Sequence, residues 1–113
     1  MHELGLTQSI IGLVEREKKN HGFDRAVEIR LGIGEYSGIM SECLLDFFPT
    51  AAKGTACEGA ELVIVPLEGS FRCPECGYEG KVKRSEACCP VCGSTAIRMI
   101  AGREFYVESL KVE

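Results

Sequence analysis

The sequence predicts an α+β fold: a small mixed sheet with two helices, and a second, cysteine-held module inserted before the last strand. Three observations predict it. Residues 6–21 repeat apolar side chains at helical spacing, residues 25–33 alternate with period two, and one cysteine pentapeptide occurs twice between positions 73 and 93. The chain has 113 residues, is 45% apolar, and sets 13 Lys and Arg against 17 Asp and Glu for a net charge of -4. That is apolar enough to build a core and too weakly charged for disorder. The acidic balance also has the wrong sign for a phosphate-backbone binder.

The elements follow in order. In the first helix Leu6, Ile10, Leu13, Val14 and Glu17 fall on one stripe, apolar until its last turn. Lys18 and Lys19 suit the negative end of the helix dipole, and Gly22 is a natural C-cap. In the following strand Val27, Ile29, Leu31 and Ile33 face one way, with Glu28 and Arg30 facing the other. Gly32, Gly34 and Gly38 punctuate the next connection. A second helix then carries Met40, Cys43, Leu44, Phe47, Phe48 and Ala51 on one stripe, and Pro49 must kink or end it. Residues 61–66 are apolar on both faces and read as a central strand. Residues 105–112 read as a last strand, its alternation broken at Glu108. If that strand returns to the first sheet, one domain comprises 1–68 and 102–113, and 69–101 is the insert.

Seven cysteines sharpen the picture. Cys73-Pro74-Glu75-Cys76-Gly77 and Cys89-Pro90-Val91-Cys92-Gly93 are the same C-P-x-C-G knuckle. A two-residue spacer lets both sulfurs of a tight turn point at one ion. Proline sets the turn, and glycine takes the left-handed conformation that frees N–H groups toward the sulfurs. Residues 77–88, the length of a short hairpin, separate the knuckles. Cys73, Cys76, Cys89 and Cys92 therefore read as a four-thiolate site in a zinc-ribbon-like module. Zinc suits a closed structural site, iron being the rival ion and a disulfide pair the rival linkage. Cys88 competes with Cys89, but only Cys89 keeps the knuckles matched. A 33-residue segment cannot bury a core of its own, so metal must supply most of its folding free energy.

The chain begins Met1-His2-Glu3. A bulky second residue favours retention of the initiator Met. The Met1 amine, the His2 amide nitrogen and the His2 imidazole then form small chelate rings around one ion, and Glu3 could complete the set. A planar, nitrogen-rich site suits Ni(II) or Cu(II) rather than Zn(II). Read from the residues alone, the simpler account of His2 is a solvated terminal side chain.

Together, Met-His-Glu at the start, Gly54-Thr55 after the second helix and the paired-cysteine insert resemble the hydrogenase nickel-incorporation (HypA/HybF) family over essentially the whole chain. The resemblance implies a nickel metallochaperone, not an enzyme. It would deliver Ni(II) to the large subunit precursor of [NiFe]-hydrogenase together with a nickel-insertion GTPase (HypB), and in some organisms also to urease. It makes His2 the essential nickel ligand, with Met1 and Glu3 beside it, and makes the four paired cysteines a structural Zn(II) site. Nickel would be transient cargo. One departure stands out: 69–101 contains no histidine, so nothing there offers a histidine link to nickel.

Other functions find less support. A nucleic-acid-binding or transcription-associated zinc ribbon would need a basic footprint. Arg72, Lys81, Lys83, Arg84 and Arg98 are instead opposed by Glu75, Glu79 and Glu86, and only Phe71 and Tyr78 offer stacking faces. No nucleophile–base pair or phosphate loop suggests catalysis. Cys43 reads as a core residue, Cys57 and Cys88 as incidental, and His21 as a solvated cap. The longest apolar run, Leu62–Leu67, is too short for a membrane span, and residues 4–14 lack the basic lead-in of a signal peptide. The expected setting is cytoplasmic, without membrane or nucleic-acid partners.

Overall fold

The computed structural model describes residues 3–113. The elements in chain order are α1 (Glu3–His21), β1 (Ala26–Gly34), α2 (Ser41–Ala51), β2 (Glu61–Leu67), β3 (Ser70–Arg72), β4 (Glu79–Gly80), β5 (Arg98–Ala101) and β6 (Phe105–Val112). The strands form two three-stranded sheets, ordered β2-β1-β6 and β4-β3-β5. Two compact units result. One comprises residues 1–32, 38–65 and 106–113; the other comprises 33–37 and 66–105.

In the first unit, α1 starts three residues earlier than its periodicity predicts and buries Thr7, Ile10 and Val14. The Thr7 hydroxyl donates to the Leu4 carbonyl at 2.6 Å, so this buried polar side chain is satisfied within the helix. Gly22 closes the helix as expected, with φ +74 and its N–H donating to the Lys18 carbonyl at 2.8 Å. α2 packs against α1. Leu44 and Phe48, one turn apart, face the core, and Ala52 is buried just beyond the helix. The predicted stripe splits here, because Met40 and Phe47 remain exposed. Pro49 lies within the last turn, and the helix ends two residues later.

β1 is the central strand: Ile29 and Leu31 are fully buried. This corrects the expected placement of residues 61–66. β2 is an edge strand, and Leu62 to Val65 are only half-buried. Pro66 has no N–H to give a ladder, which an edge accommodates. The last strand does return to this sheet. The Glu113 N–H donates to the Arg25 carbonyl at 2.9 Å, and the Asp24 N–H donates to the Glu113 carbonyl at 2.7 Å.

The second unit holds the antiparallel sheet β4-β3-β5, with Arg72 opposite both Glu79 and Arg98. Between the knuckles, residues 77–88 contain the short strand β4. β4 pairs with β3 around the first knuckle, and the chain then turns at 83–87, where the Glu86 and Ala87 N–H groups both donate to the Lys83 carbonyl. Within this unit the Tyr36 ring meets Phe71 edge-on at 5.6 Å, and the Arg84 guanidinium lies 4.4 Å over its face. Gly69 is required there, since a Cβ would run into the Tyr36 ring.

Candidate metal centre

The two knuckles fold alike because their backbones close the same bonds at the same offsets. In the first, the Gly77 N–H donates to the Cys73 carbonyl at 2.9 Å, and the Cys73 N–H donates to the Tyr78 carbonyl at 2.8 Å. In the second, the Gly93 N–H donates to the Cys89 carbonyl at 2.9 Å, and the Cys89 N–H donates to the Ser94 carbonyl at 2.8 Å. Gly77 and Gly93 have φ of +80 and +78, the left-handed conformation each turn needs.

The turns bring four sulfurs together. The Sγ atoms of Cys73, Cys76, Cys89 and Cys92 all lie within 4.8 Å of one another. Across the knuckles, Cys73 Sγ is 3.6 Å from Cys92 Sγ, and Cys76 Sγ is 3.5 Å from Cys89 Sγ. The first cysteine of each knuckle is buried and the second exposed. Cys88 is half-buried and lies outside the cluster.

Backbone N–H groups prepare these sulfurs to carry charge. Val91 and Cys92 donate to Cys89 Sγ at 3.4 and 3.5 Å. Burial works against the Cys89 thiolate, but these two donors and the neighbouring thiols of Cys76 and Cys92 outweigh it, bringing the thiol down to about 7. The Ser94 N–H favours the Cys92 thiolate. The adjoining Cys73, Cys76 and Cys89 thiols and burial oppose it more strongly, pushing Cys92 up to about 12. Cys76 likewise rises although the Tyr78 N–H favours its thiolate, because burial and the Cys89 and Cys73 thiols oppose it. Four clustered sulfurs cannot all ionise beside one another without a cation. Four thiol donors on twin turns, with N–H groups turned toward them, fit a tetrahedral thiophilic ion such as Zn(II).

At the other end of the chain, Met1 and His2 lie outside the described residues. Glu3 opens α1 and is half-buried. Its carboxylate accepts a hydrogen bond from the Met40 N–H at 3.3 Å, at the N-cap of α2. Met40 offers no capping side chain of its own, so a carboxylate from α1 serves this helix end. Sequence reasoning missed this link, since no spacing rule joins positions 3 and 40. It also missed Tyr78 and Ser94 as sulfur-facing donors, which the matched knuckles placed at equivalent positions.

A small α+β chain carrying a four-cysteine knuckle cluster defines a protein with a candidate metal-binding module. Its relatives are specific. The family model for hydrogenase/urease nickel incorporation, metallochaperone, hypA, matches residues 1–112. Hydrogenase maturation factor HypA of Cereibacter sphaeroides is 34% identical over 113 residues, covering all of both chains. That of Chlorobium luteolum is 37% identical over 113 residues, covering 100% of this chain and 97% of its own. Among solved structures, a HypA solution structure matches with a TM-score of 0.75 at 26% identity, covering 100% of this chain and 97% of that one. The solution structure of the Ni metallochaperone HypA from Helicobacter pylori matches with a TM-score of 0.72 at 26% identity, covering 99% and 97%. This chain belongs to the HypA family of nickel metallochaperones for hydrogenase maturation, a family of carriers rather than enzymes.

Proposed function

We propose that this chain binds Ni(II) through the Met1 amine, His2 and Glu3, and hands it to the large subunit precursor of [NiFe]-hydrogenase together with the nickel-insertion GTPase, HypB. Where a urease is present, the same site would serve it. The work would take place in the cytoplasm. Residues 1–68 and 102–113 form the nickel-binding domain in this reading, and 69–101 the zinc-binding module, with Cys73, Cys76, Cys89 and Cys92 as the zinc ligands.

The observation that carries the reading is the family match over residues 1–112, which takes in Met1-His2-Glu3 as well as both knuckles. The chemistry agrees with transient cargo. An amine and an imidazole titrate near about 7.7–8.0 and about 6.5, so nickel affinity should fall as pH drops through that range. A site at a chain end exchanges ligands readily with a partner. The positive end of α1 lies beside it and opposes a cation, which also favours release. The nucleic-acid alternative loses support from the ion pairs: Arg72 meets Glu79, Lys81 meets Glu68 and Arg84 meets Glu35, so these cations are already opposed by acids.

The test is Ni(II) titration of untagged protein with metal analysis. His2→Ala, or an extension ahead of Met1, should abolish the nickel site while zinc stays near one per chain. Unchanged nickel affinity in the extended protein would reject the N-terminal chelate.

A further inference from the structure

We propose that the outer face shared by α2 and the first turns of α1 is a docking surface for an amphipathic helix of a partner protein, one with a cationic flank. Leu4, Gln8, Asp46, Phe47, Thr50 and Ala51 line a groove of about 340 Å³ between the two helices. Of the large apolar side chains in that lining, Leu4 is 51% and Phe47 44% exposed. The buried faces of the same helices, with Ile10, Val14, Leu44 and Phe48, already fill the core. Leu4 and Phe47, one from each helix, are left facing outward, and their meeting at one groove suits helix-in-groove recognition.

Charge selects the occupant. Residues 3–14 and 36–52 contain Glu3, Glu42 and Asp46 and not one Lys or Arg. Some acids outside these stretches meet cations, as in Arg25–Glu113, Arg30–Glu108, Lys81–Glu68 and Arg84–Glu35. Glu42 and Asp46, one turn apart and both exposed, have no cationic partner among the described residues. An acidic, apolar groove repels nucleic acid and anionic membrane and attracts a helix with lysine or arginine beside its apolar stripe. A second copy of this chain fits poorly. Its basic stretch, Arg16 to Lys19, lies on α1, whose apolar face is committed to its own core.

Leu4 follows Glu3 in the first turn of α1, so an occupant of this groove lies against the turn next to the chain end. The proposal rests on the delivery reading above only for the cargo that end carries. The surface itself is tested without nickel.

The probes are an 18-residue synthetic Leu/Lys amphipathic helix and its Leu/Glu counterpart, titrated into ¹⁵N-labelled protein. The Leu/Lys helix should shift amides at Leu4, Gln8, Asp46 and Phe47, and bind at least tenfold more tightly than the Leu/Glu helix. Glu42→Lys with Asp46→Lys should reverse that preference, and Phe47→Ser should weaken the Leu/Lys helix. All three substitutions lie on exposed side chains, and nickel affinity should not change with any of them. Shifts scattered over the molecule, or an unaltered preference in the charge-reversed protein, would overturn the proposal. So would concentration-dependent dimerisation through this face in sedimentation, which would put a second copy in the groove.

Discussion

The unit of residues 1–32, 38–65 and 106–113 buries Ile10, Val14, Ile29, Leu31, Leu44, Phe48, Ala52, Ala56 and Cys57. In the unit of 33–37 and 66–105, the buried side chains are Ile33, Cys73 and Cys89. One therefore closes by removing apolar surface from water, worth roughly 25 cal/mol per Å². The other has almost no apolar core and gathers four sulfurs instead. The difference teaches where each unit is vulnerable: the first to a cavity, the second to loss of its ion.

The largest expected effect is metal removal. Structural zinc contributes on the order of 10–16 kcal/mol of apparent binding free energy to small cysteine modules. A strong chelator should collapse the dispersed amide signals of residues 70–101 and leave those of Ile29 and Leu31 in place. Unfolding of both units together would break the comparison, and dispersion retained at 70–101 would show that the sheet of β3, β4 and β5 stands without an ion. A cavity should do the converse. Leu44→Ala should cost roughly 2–5 kcal/mol in denaturant unfolding of the first unit, with metal content unchanged.

The same division governs what could be read from sequence. The knuckles were legible because sulfur ligation requires a local turn, and local turns leave fixed spacings. The Gly22 cap was legible for the same reason, and the last strand from its own alternation. The central strand was misassigned because residues 61–66 are apolar on both faces while β1 carries Glu28 and Arg30, and only pairing decides which lies in the middle. The separation of 77–88 gave a length and no pairing, and β4 joins β3 across the first knuckle. The Glu3–Met40 contact joins positions 37 apart in the chain, a distance over which periodicity is silent.

An intermediate effect tests the crowded glycine of the second unit. Gly69→Ala would drive a methyl into the Tyr36 ring, and the Gly69 N–H is also held by the Glu35 carboxylate at 2.8 Å. Overpacking of this kind costs roughly 1–3 kcal/mol. Measured with metal bound, it should lower the midpoint of the second unit alone, and Tyr36→Ala should recover part of the loss. No recovery in the double variant would mean that the glycine is needed for its backbone rather than for the ring.

The smallest effect separates the two kinds of cysteine. Cys57 belongs to the apolar unit and is fully buried. Burial chiefly, then the nearby Glu15 carboxylate, outweigh the Thr55 hydroxyl and push its thiol up to about 11, from an ordinary value of 9.0. The folded state therefore keeps a proton that the unfolded chain gives up. Its contribution is intact below pH 9.0 and is lost as pH rises through about 11. The loss should reach about 1.4 kcal/mol by pH 10. Lysines and tyrosines titrate in the same window, so the reading is the difference from Cys57→Ala, whose stability should decline less over pH 9–10.5. Parallel pH profiles for the two proteins would show that Cys57 is not held neutral by the core, and the contrast between a packed cysteine and a ligating one would fail at that position.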